Sequence, residues 1–375
     1  MSEATFERST RVSTLELFFD LVFVFTITQL TSVLVAGGNL TSVAQVAVML
    51  GFVWWIYDGY AWLTNAITTD VLRYRLLLLG GMGGFLVIAL AIPAAFESEG
   101  LALGLAYLAV ILLHSGMYLR GASIAEARAM LRVSAYNLTA ATFVVIGGAL
   151  GGDAQWVLWA CANLVWVTPW ITRLEAFVIS TSHFVERHGL VVIIALGESV
   201  VVIGVGAAGL DLDAGLVVVA LLSLALSATL WWLYFSDEGN VERALAEAPA
   251  ERRPYIAVEG FGLWHLGLLL GVVALAAGLK KAIGAPYDPL DGWIAAELAC
   301  GVALFAASDV GFRWTLGIPR GGLRLVAAAL ALVTIPLGTE SKAIWQVGAL
   351  AAIVSLAIAA EGSRKSRGLS SRSRG

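Results

Sequence analysis

The 375-residue chain has little of what a water-soluble enzyme is built from. Charged residues make up only 13% of it, against about 25% in a soluble domain, which excludes an ordinary solvated surface. It has two cysteines, Cys161 and Cys300. Both fall inside apolar runs and read as small buried hydrophobes rather than a disulfide or redox pair. The four histidines, His114, His183, His188 and His265, form no HExxH or other paired metal spacing. No GxxxxGK[ST] loop occurs, which excludes nucleotide hydrolysis by that route. GxSxG and CxxC are absent too. The longest polar connection, Ser236 to Pro254, leaves no room for an appended soluble domain. No catalytic group, metal, cofactor or nucleic-acid partner is therefore expected.

What the chain does have is apolar length. It is 59% hydrophobic, with a mean hydropathy of +0.86. A helix crosses the hydrocarbon with about 20 mostly apolar residues. The sequence divides into twelve such runs: Thr14–Val35, Val43–Leu63, Arg75–Ala95, Ala102–Leu119, Met130–Leu150, Ala154–Ile171, His188–Ala208, Ala214–Phe235, Tyr255–Leu279, Trp293–Trp314, Leu323–Leu337 and Ile344–Ala360. The expected fold is an all-α polytopic membrane protein of about twelve transmembrane helices. Glu16 and Asp20 interrupt the first run, and no small-x-small cleavage site follows, so it does not read as a secretory signal.

Charge placement gives an independent view of topology. With the N-terminus inside, 20 of the Lys and Arg residues fall in or beside inner connections, and only Lys280, Lys281 and Lys342 fall in outer ones. That asymmetry obeys the positive-inside rule and puts both termini on the cytoplasmic side of a bacterial inner membrane. The net charge of −4 thus combines a basic inner face with an acidic outer one, where Glu97, Glu99, Asp153, Asp211 and Asp213 lie. The Ser/Arg-rich segment 362–375 is apolar-poor and expected to be a disordered cytoplasmic tail.

The chain also repeats itself. Trp54-Trp55-Ile56-Tyr57 in the second run is matched by Trp231-Trp232-Leu233-Tyr234 in the eighth. Glu16 pairs with Glu186, Arg120 with Arg313, Leu131-Arg132 with Leu323-Arg324, and Trp156 with Trp345, in the same order. These matches predict two six-helix repeats, 1–173 and 174–361. Because six is even, both halves run the same way across the bilayer. Substrate paths in duplicated transporters lie at the repeat interface, although a repeat can also be purely architectural.

Two longer stretches carry a family resemblance. Thr14-Leu15-Glu16-Leu17-Phe18-Phe19-Asp20-Leu21-Val22-Phe23-Val24-Phe25 resembles the opening signature of the low temperature requirement A (LtrA) family. Glu186-Arg187-His188-Gly189-Leu190, followed by Ile194-Ala195-Leu196-Gly197-Glu198-Ser199, resembles its second signature. The resemblance extends over essentially the whole chain. It implies a bacterial integral membrane protein and does not by itself imply an activity. In organisation alone the chain is also similar to the endolysosomal potassium and proton channels, whose first-helix motif it lacks.

Charge inside the membrane is the remaining signal. A carboxylate at a helix centre costs about 2.5–3.5 kcal/mol on insertion scales, so each one is a candidate site. Glu198 lies ten residues past His188, roughly 15 Å into a core about 30 Å thick. Its neighbours Gly197 and Ser199 let other helices, water or an ion approach. Glu16 and Asp20 stand at i and i+4, on one face of the first run. There they could share a proton or bind a cation, or Glu16 could simply close a helix start capped by Ser13 or Thr14. His265, ten residues into the ninth run, could relay a proton with Glu198, or be satisfied by a single backbone partner. Asp58, Glu186, Glu259 and Glu297 are secondary candidates, with Asp237 and Asp309 at inner helix ends. The tryptophans read as packing or interface groups.

The expected function is proton-coupled transport, or ion conduction, of a small solute or ion through Glu198, His265, Glu16, Asp20 and Ser199. The alternative is a membrane-embedded enzyme or lipid-interacting stress factor. The expected partners are the lipid bilayer, a proton or cation and a small solute.

Overall fold

A computed structural model describes residues 12–67, 71–172, 174, 176–319 and 321–372, with side chains described through Ser363. Every regular element among them is helical. In the first half these are α1 (Thr14–Gly37), α2 (Leu40–Ala66), α3 (Leu72–Ala91), α4 (Gly100–Gly121), α5 (Ile124–Leu150), α6 (Gly152–Ala162) and α7 (Thr168–Ile171). The rest are α8 (Thr181–Gly206), α9 (Ala214–Phe235), α10 (Glu238–Glu247), α11 (Arg253–Ala257), α12 (His265–Gly284), α13 (Gly292–Thr315), α14 (Gly322–Val333), α15 (Ile335–Glu340) and α16 (Ala343–Arg372).

Eleven of the described helical spans are long and apolar enough to cross a membrane, one fewer than the twelve expected. The missing one is the sixth run. There a 3₁₀ segment, Asn163–Val167, separates α6 from α7. Pro169 at the start of α7 has no N–H to donate backwards, so the α-helical ladder cannot run through it. Asn163 also turns its amide onto the carbonyls of Val48 and Trp159. The eleventh run is divided in the same way at Pro336, between α14 and α15.

Two further boundaries differ from expectation. The seventh run starts at Thr181 rather than His188, which brings His183, Glu186 and Arg187 into the helix. Arg187, Arg313 and Arg324, assigned from sequence to the inner connections, are buried in the protein. The last helix carries its backbone on through Arg372, where a disordered tail is expected, while Ser373–Gly375 lie outside the described residues.

The chain divides into two compact units. The first comprises Met1–Ile194 with Gly239–Leu266, and the second Ala195–Glu238 with Gly267–Gly375. In the first unit α1 packs on α2 and α3, α4 on α3 and α5, and α5 on α6. Its centre is aromatic: Phe19, Phe23, Tyr57, Tyr60 and Phe85 form a continuous set of stacked and edge-on rings. In the second unit α13 packs on α14, and α9 and α14 pack on α16.

Lipid tails are as apolar as leucine, so close backbone approach must hold such helices together. In the second unit α12 and α13 cross at Gly271 and Gly301. A Cβ at Gly301 would stand 2.6 Å from the Leu275 amide nitrogen and 2.8 Å from the Gly271 oxygen. Gly197 on α8, by contrast, has open space where a methyl group would project. Gly301→Val should therefore destabilise the protein by about 1–3 kcal/mol or more, while Gly197→Ala should be neutral or slightly stabilising. Thermal unfolding of the detergent-purified variants separates the two, and equal melting points would refute the close crossing.

Candidate functional site

The candidate site of the first unit begins at the start of α1. Ser13 Oγ accepts the Glu16 N–H at 3.3 Å, and Glu16 Oε1 accepts the Ser13 hydroxyl at 2.8 Å, closing a capping box. The other oxygen, Oε2, accepts from Arg187 Nη1 at 2.7 Å and from His183 Nε2 at 2.9 Å. One side chain thus closes the helix start and anchors a buried ion pair.

One turn further along α1, Asp20 Oδ1 accepts from Arg187 Nη2 at 2.9 Å and from the Tyr57 hydroxyl. Arg187 bridges the two carboxylates, and both Arg187 and Asp20 are only 1% exposed. His183 and Arg187 are also spaced i, i+4, so the first turns of α1 and α8 form a two-rung ladder. Glu16 meets His183 and Arg187, and Asp20 meets Arg187. These contacts fit two turns that run in the same direction.

Asn65 is oriented by Ser180, whose N–H it accepts at 2.9 Å and whose carbonyl it donates to at 3.1 Å. Its amide nitrogen therefore faces His183 Nδ1 at 3.4 Å, on the side of the ring away from Glu16. Two carboxylates face one guanidinium. Asp20 Oδ2 is buried with no hydrogen-bond partner among the described residues.

A second pair stands beside the ladder. His188 Nδ1 faces the Phe184 carbonyl at 2.9 Å, and its Nε2 faces Asp58 Oδ1 at 2.9 Å. The Phe184 carbonyl can only accept, so both contacts are hydrogen bonds when Nδ1 donates to it and one proton lies between Nε2 and Asp58. His265 lies edge-on to His188, with ring centres 5.5 Å apart. A π-helical stretch, Val258–Trp264, widens the helix just before it. His265 Nδ1 donates to the Gly260 carbonyl at 3.0 Å, and Trp54 Nε1 donates to the Gly262 carbonyl at 2.8 Å. Such stretches are frequent at functional sites.

The second unit contains a separate charged cluster. Asp309 Oδ2 accepts from Arg313 Nε at 3.1 Å and from Arg324 Nη1. Arg313 also reaches Asp237 at 2.7 Å, and Arg324 reaches Glu361 at 3.0 Å. Both arginines donate to the Leu233 carbonyl. The ends of α9 and α13, the start of α14 and Glu361 within α16 are tied together there.

The sequence-derived candidates separate accordingly. Glu16, Asp20, Asp58 and His265 are buried in the first unit. Glu198 and Ser199 are buried in the second half of α8, in the other unit, where Ser199 Oγ has no partner among the described residues. Glu297 is buried with Oε1 unpartnered among them. Glu186 and Glu259 are exposed, and Glu186 accepts the Val12 N–H at 3.3 Å. Sequence reasoning passed over Arg187, His183, His188 and Tyr57. The i, i+4 spacing of His183 and Arg187, matching that of Glu16 and Asp20, is the signal that would have found two of them.

Removing Arg187 should leave two carboxylates buried without their counterion. Arg187→Gln is expected to cost about 3–5 kcal/mol, and adding Glu16→Gln and Asp20→Asn should restore part of it. The melting temperature in detergent reads both effects. A single variant as stable as the parent would rule out the ladder.

A profile described as bacterial low temperature requirement A protein (LtrA) matches residues 11–359. The chain is also 30% identical over 293 residues to the uncharacterized protein RA0937 of Rhizobium meliloti (strain 1021), covering 74% of this chain and 71% of that one. Both signature segments fall inside the matched region, the first holding the two carboxylates of the ladder and the second its arginine. The chain is a multipass membrane protein that belongs to the LtrA family.

Proposed function

We propose that this protein is a proton-coupled secondary transporter of a small solute, with Asp20 as a proton-exchanging carboxylate. The observation that carries this reading is the buried oxygen of Asp20 that has no partner among the described residues, on a ladder with two carboxylates and one arginine. A buried excess carboxylate is costly unless it takes up a proton or a cation. In membrane proteins such groups mark proton relays and ion paths. The Asp58–His188 pair holds a shared proton next to the ladder and supplies a second exchange point. Glu198, with Ser199, is the corresponding protonatable group of the second unit, and His265 is a relay beside His188.

Two repeats of the same orientation, 1–173 and 174–361, need α6, the 3₁₀ segment and α7 to complete a broken sixth crossing, and the like direction of α1 and α8 supports that arrangement. The distribution of Lys and Arg supports cytoplasmic termini in a bacterial inner membrane. Cysteines introduced at Ser98 and at Ser363 test this orientation. An impermeant maleimide on intact cells should label Ser98→Cys and spare Ser363→Cys, and the reverse pattern would invert the topology.

Flux in proteoliposomes tests the function. The parent protein should move protons across the membrane when a solute gradient is imposed, as read by an internal pH dye across a panel of cations and small solutes. Asp20→Asn keeps an acceptor for Arg187 and Tyr57, so it should fold while losing at least 90% of proton-driven flux. Glu198→Gln should do the same. Flux equal to the parent's in Asp20→Asn would reduce that carboxylate to packing.

A further inference from the structure

A partly open pocket lies in the first unit between α2, α4 and α5. Most of its wall is apolar and aromatic. Trp62, Tyr118 and Phe177 meet edge to face, with Phe177 ring centres 6.0 Å from Trp62 and 5.8 Å from Tyr118. Its polar side chains include three with acceptor atoms, beside the hydroxyls of Tyr118 and Thr168. Asp58 is one, and none of the lining residues is a Lys or Arg. Asn137 Oδ1 is already turned to accept the Trp55 indole N–H at 2.8 Å. His114 is a third. Its Nε2 donates to the Gly59 carbonyl at 2.9 Å, so Nδ1 carries a lone pair. That Nδ1 is buried with no hydrogen-bond partner among the described residues, on a side chain only 2% exposed. A buried acceptor left unpaired costs free energy unless a donor reaches it.

We infer that this cavity binds a small primary ammonium compound with an aromatic or aliphatic body, paired to Asp58 and hydrogen-bonded to His114 Nδ1. The rings supply the apolar contact and a face for the cation. A primary ammonium brings three N–H donors to a wall that offers acceptors, which a quaternary ammonium, a neutral alcohol or a carboxylate cannot do.

Binding also moves a proton. With both His188 contacts hydrogen-bonded, one proton lies between Nε2 and Asp58. When the ammonium takes Asp58 as its counterion, the shared proton leaves. His188 stays neutral with its remaining proton on Nδ1 toward Phe184. One positive charge enters and one leaves, so the exchange is electroneutral. The other ionisable groups around the pair are His114 and Tyr118 on α4, His265 beyond the π-helical stretch, and Asp20 with Arg187 across Tyr57. This names the solute class for the transport proposed above and rests on that reading only for movement across the membrane. Binding itself is tested with no gradient present, so failed flux and failed binding remain distinguishable.

The test is isothermal titration of the full-length protein in detergent with 2-phenylethylammonium. It should bind saturably, and at least tenfold more tightly than 2-phenylethanol, 3-phenylpropionate or the N,N,N-trimethyl analogue. Repeating the titration in buffers of different ionisation enthalpy should show close to one proton released per ammonium bound. His114→Phe leaves Asp58 and His188 intact and should weaken binding at least fivefold. Asp58→Asn should weaken it at least tenfold and abolish proton release. Because the ligand series uses the parent protein alone, it stays decisive if Asp58→Asn fails to fold. Competition by dihexanoyl phosphatidylethanolamine would identify a lipid headgroup as the ammonium source, and lack of competition would identify a free amine. Either result keeps the site. No binding of 2-phenylethylammonium, or equal binding of the alcohol or carboxylate, overturns the site. Binding without proton release overturns the exchange.

Discussion

Two carboxylates one turn apart on α1 face a histidine and an arginine one turn apart on α8, and much of the first unit depends on that match. In hydrocarbon a polar group has no water to fall back on, so it must be satisfied inside the protein or not be there. Glu16 and Asp20 alone would make α1 an expensive helix to insert. Arg187 alone would do the same for α8. Docked in register, each removes the other's penalty, and the aromatic rings of Phe19, Phe23 and Tyr57 close over the pair. Phe19 lies between the two acids in sequence, and its ring centre stands 5.9 Å from the Arg187 guanidinium carbon. The ladder thus sets the relative register of two helices far apart in sequence, a specificity that apolar packing alone does not supply.

The same two helices place the Asp58–His188 pair. His188 follows Arg187 directly, and Asp58 follows Tyr57, which donates to Asp20. Each of these neighbouring residues points to a different group. Arg187 and Tyr57 reach toward α1, while His188 and Asp58 meet each other near the π-helical stretch before His265. Asp20 and the Asp58–His188 contact are therefore held by adjacent residues of α2, Tyr57 and Asp58. The π-helical stretch contributes by changing which carbonyls are free. His265 and Trp54 take those of Gly260 and Gly262, and a regular helix would direct both inward to its own ladder.

Much of this fold is legible in the sequence, because a span of apolar residues has one stable solution in lipid. Helix interiors lie where the hydropathy places them. The exceptions have local causes that hydropathy ignores: a proline without an N–H at 169 and another at 336, and a polar first turn at 181–187. That turn looks like a loop because it carries Ser, His, Glu and Arg together. Its charge reads as a surface until the partner carboxylates are known, and those lie on α1. The same blindness applies to Arg313 and Arg324, which satisfy every rule for a cytoplasmic connection and yet are buried against Asp309. Single-chain patterning finds the acids that violate the membrane rule. It does not find the bases that compensate them when those bases stand near helix ends, where arginine is expected anyway. Tyr57 escaped for a related reason, since WWxY reads as an interface motif and only the structure turns its hydroxyl toward Asp20.

The two charged clusters are similar in composition and differ in their access to water. In the second unit, Asp309, Asp237 and Glu361 outnumber Arg313 and Arg324, just as Glu16 and Asp20 outnumber Arg187 in the first. Yet Asp237 and Glu361 have side chains 21% and 22% exposed. Their surplus charge can be solvated at the surface, and the cluster can stay ionised while it ties four helix ends together. In the first unit no member of the ladder is more than 5% exposed. The surplus there has no such outlet, because desolvation of a lone carboxylate costs several kcal/mol. Asn65 stands 3.4 Å from His183 Nδ1 and is itself held by the N–H and the carbonyl of Ser180, so the ring that faces Glu16 is fixed from its far side. The ladder is therefore tied at both edges, by Tyr57 at Asp20 and by Asn65 at His183, and its carboxylates are positioned by the first unit alone.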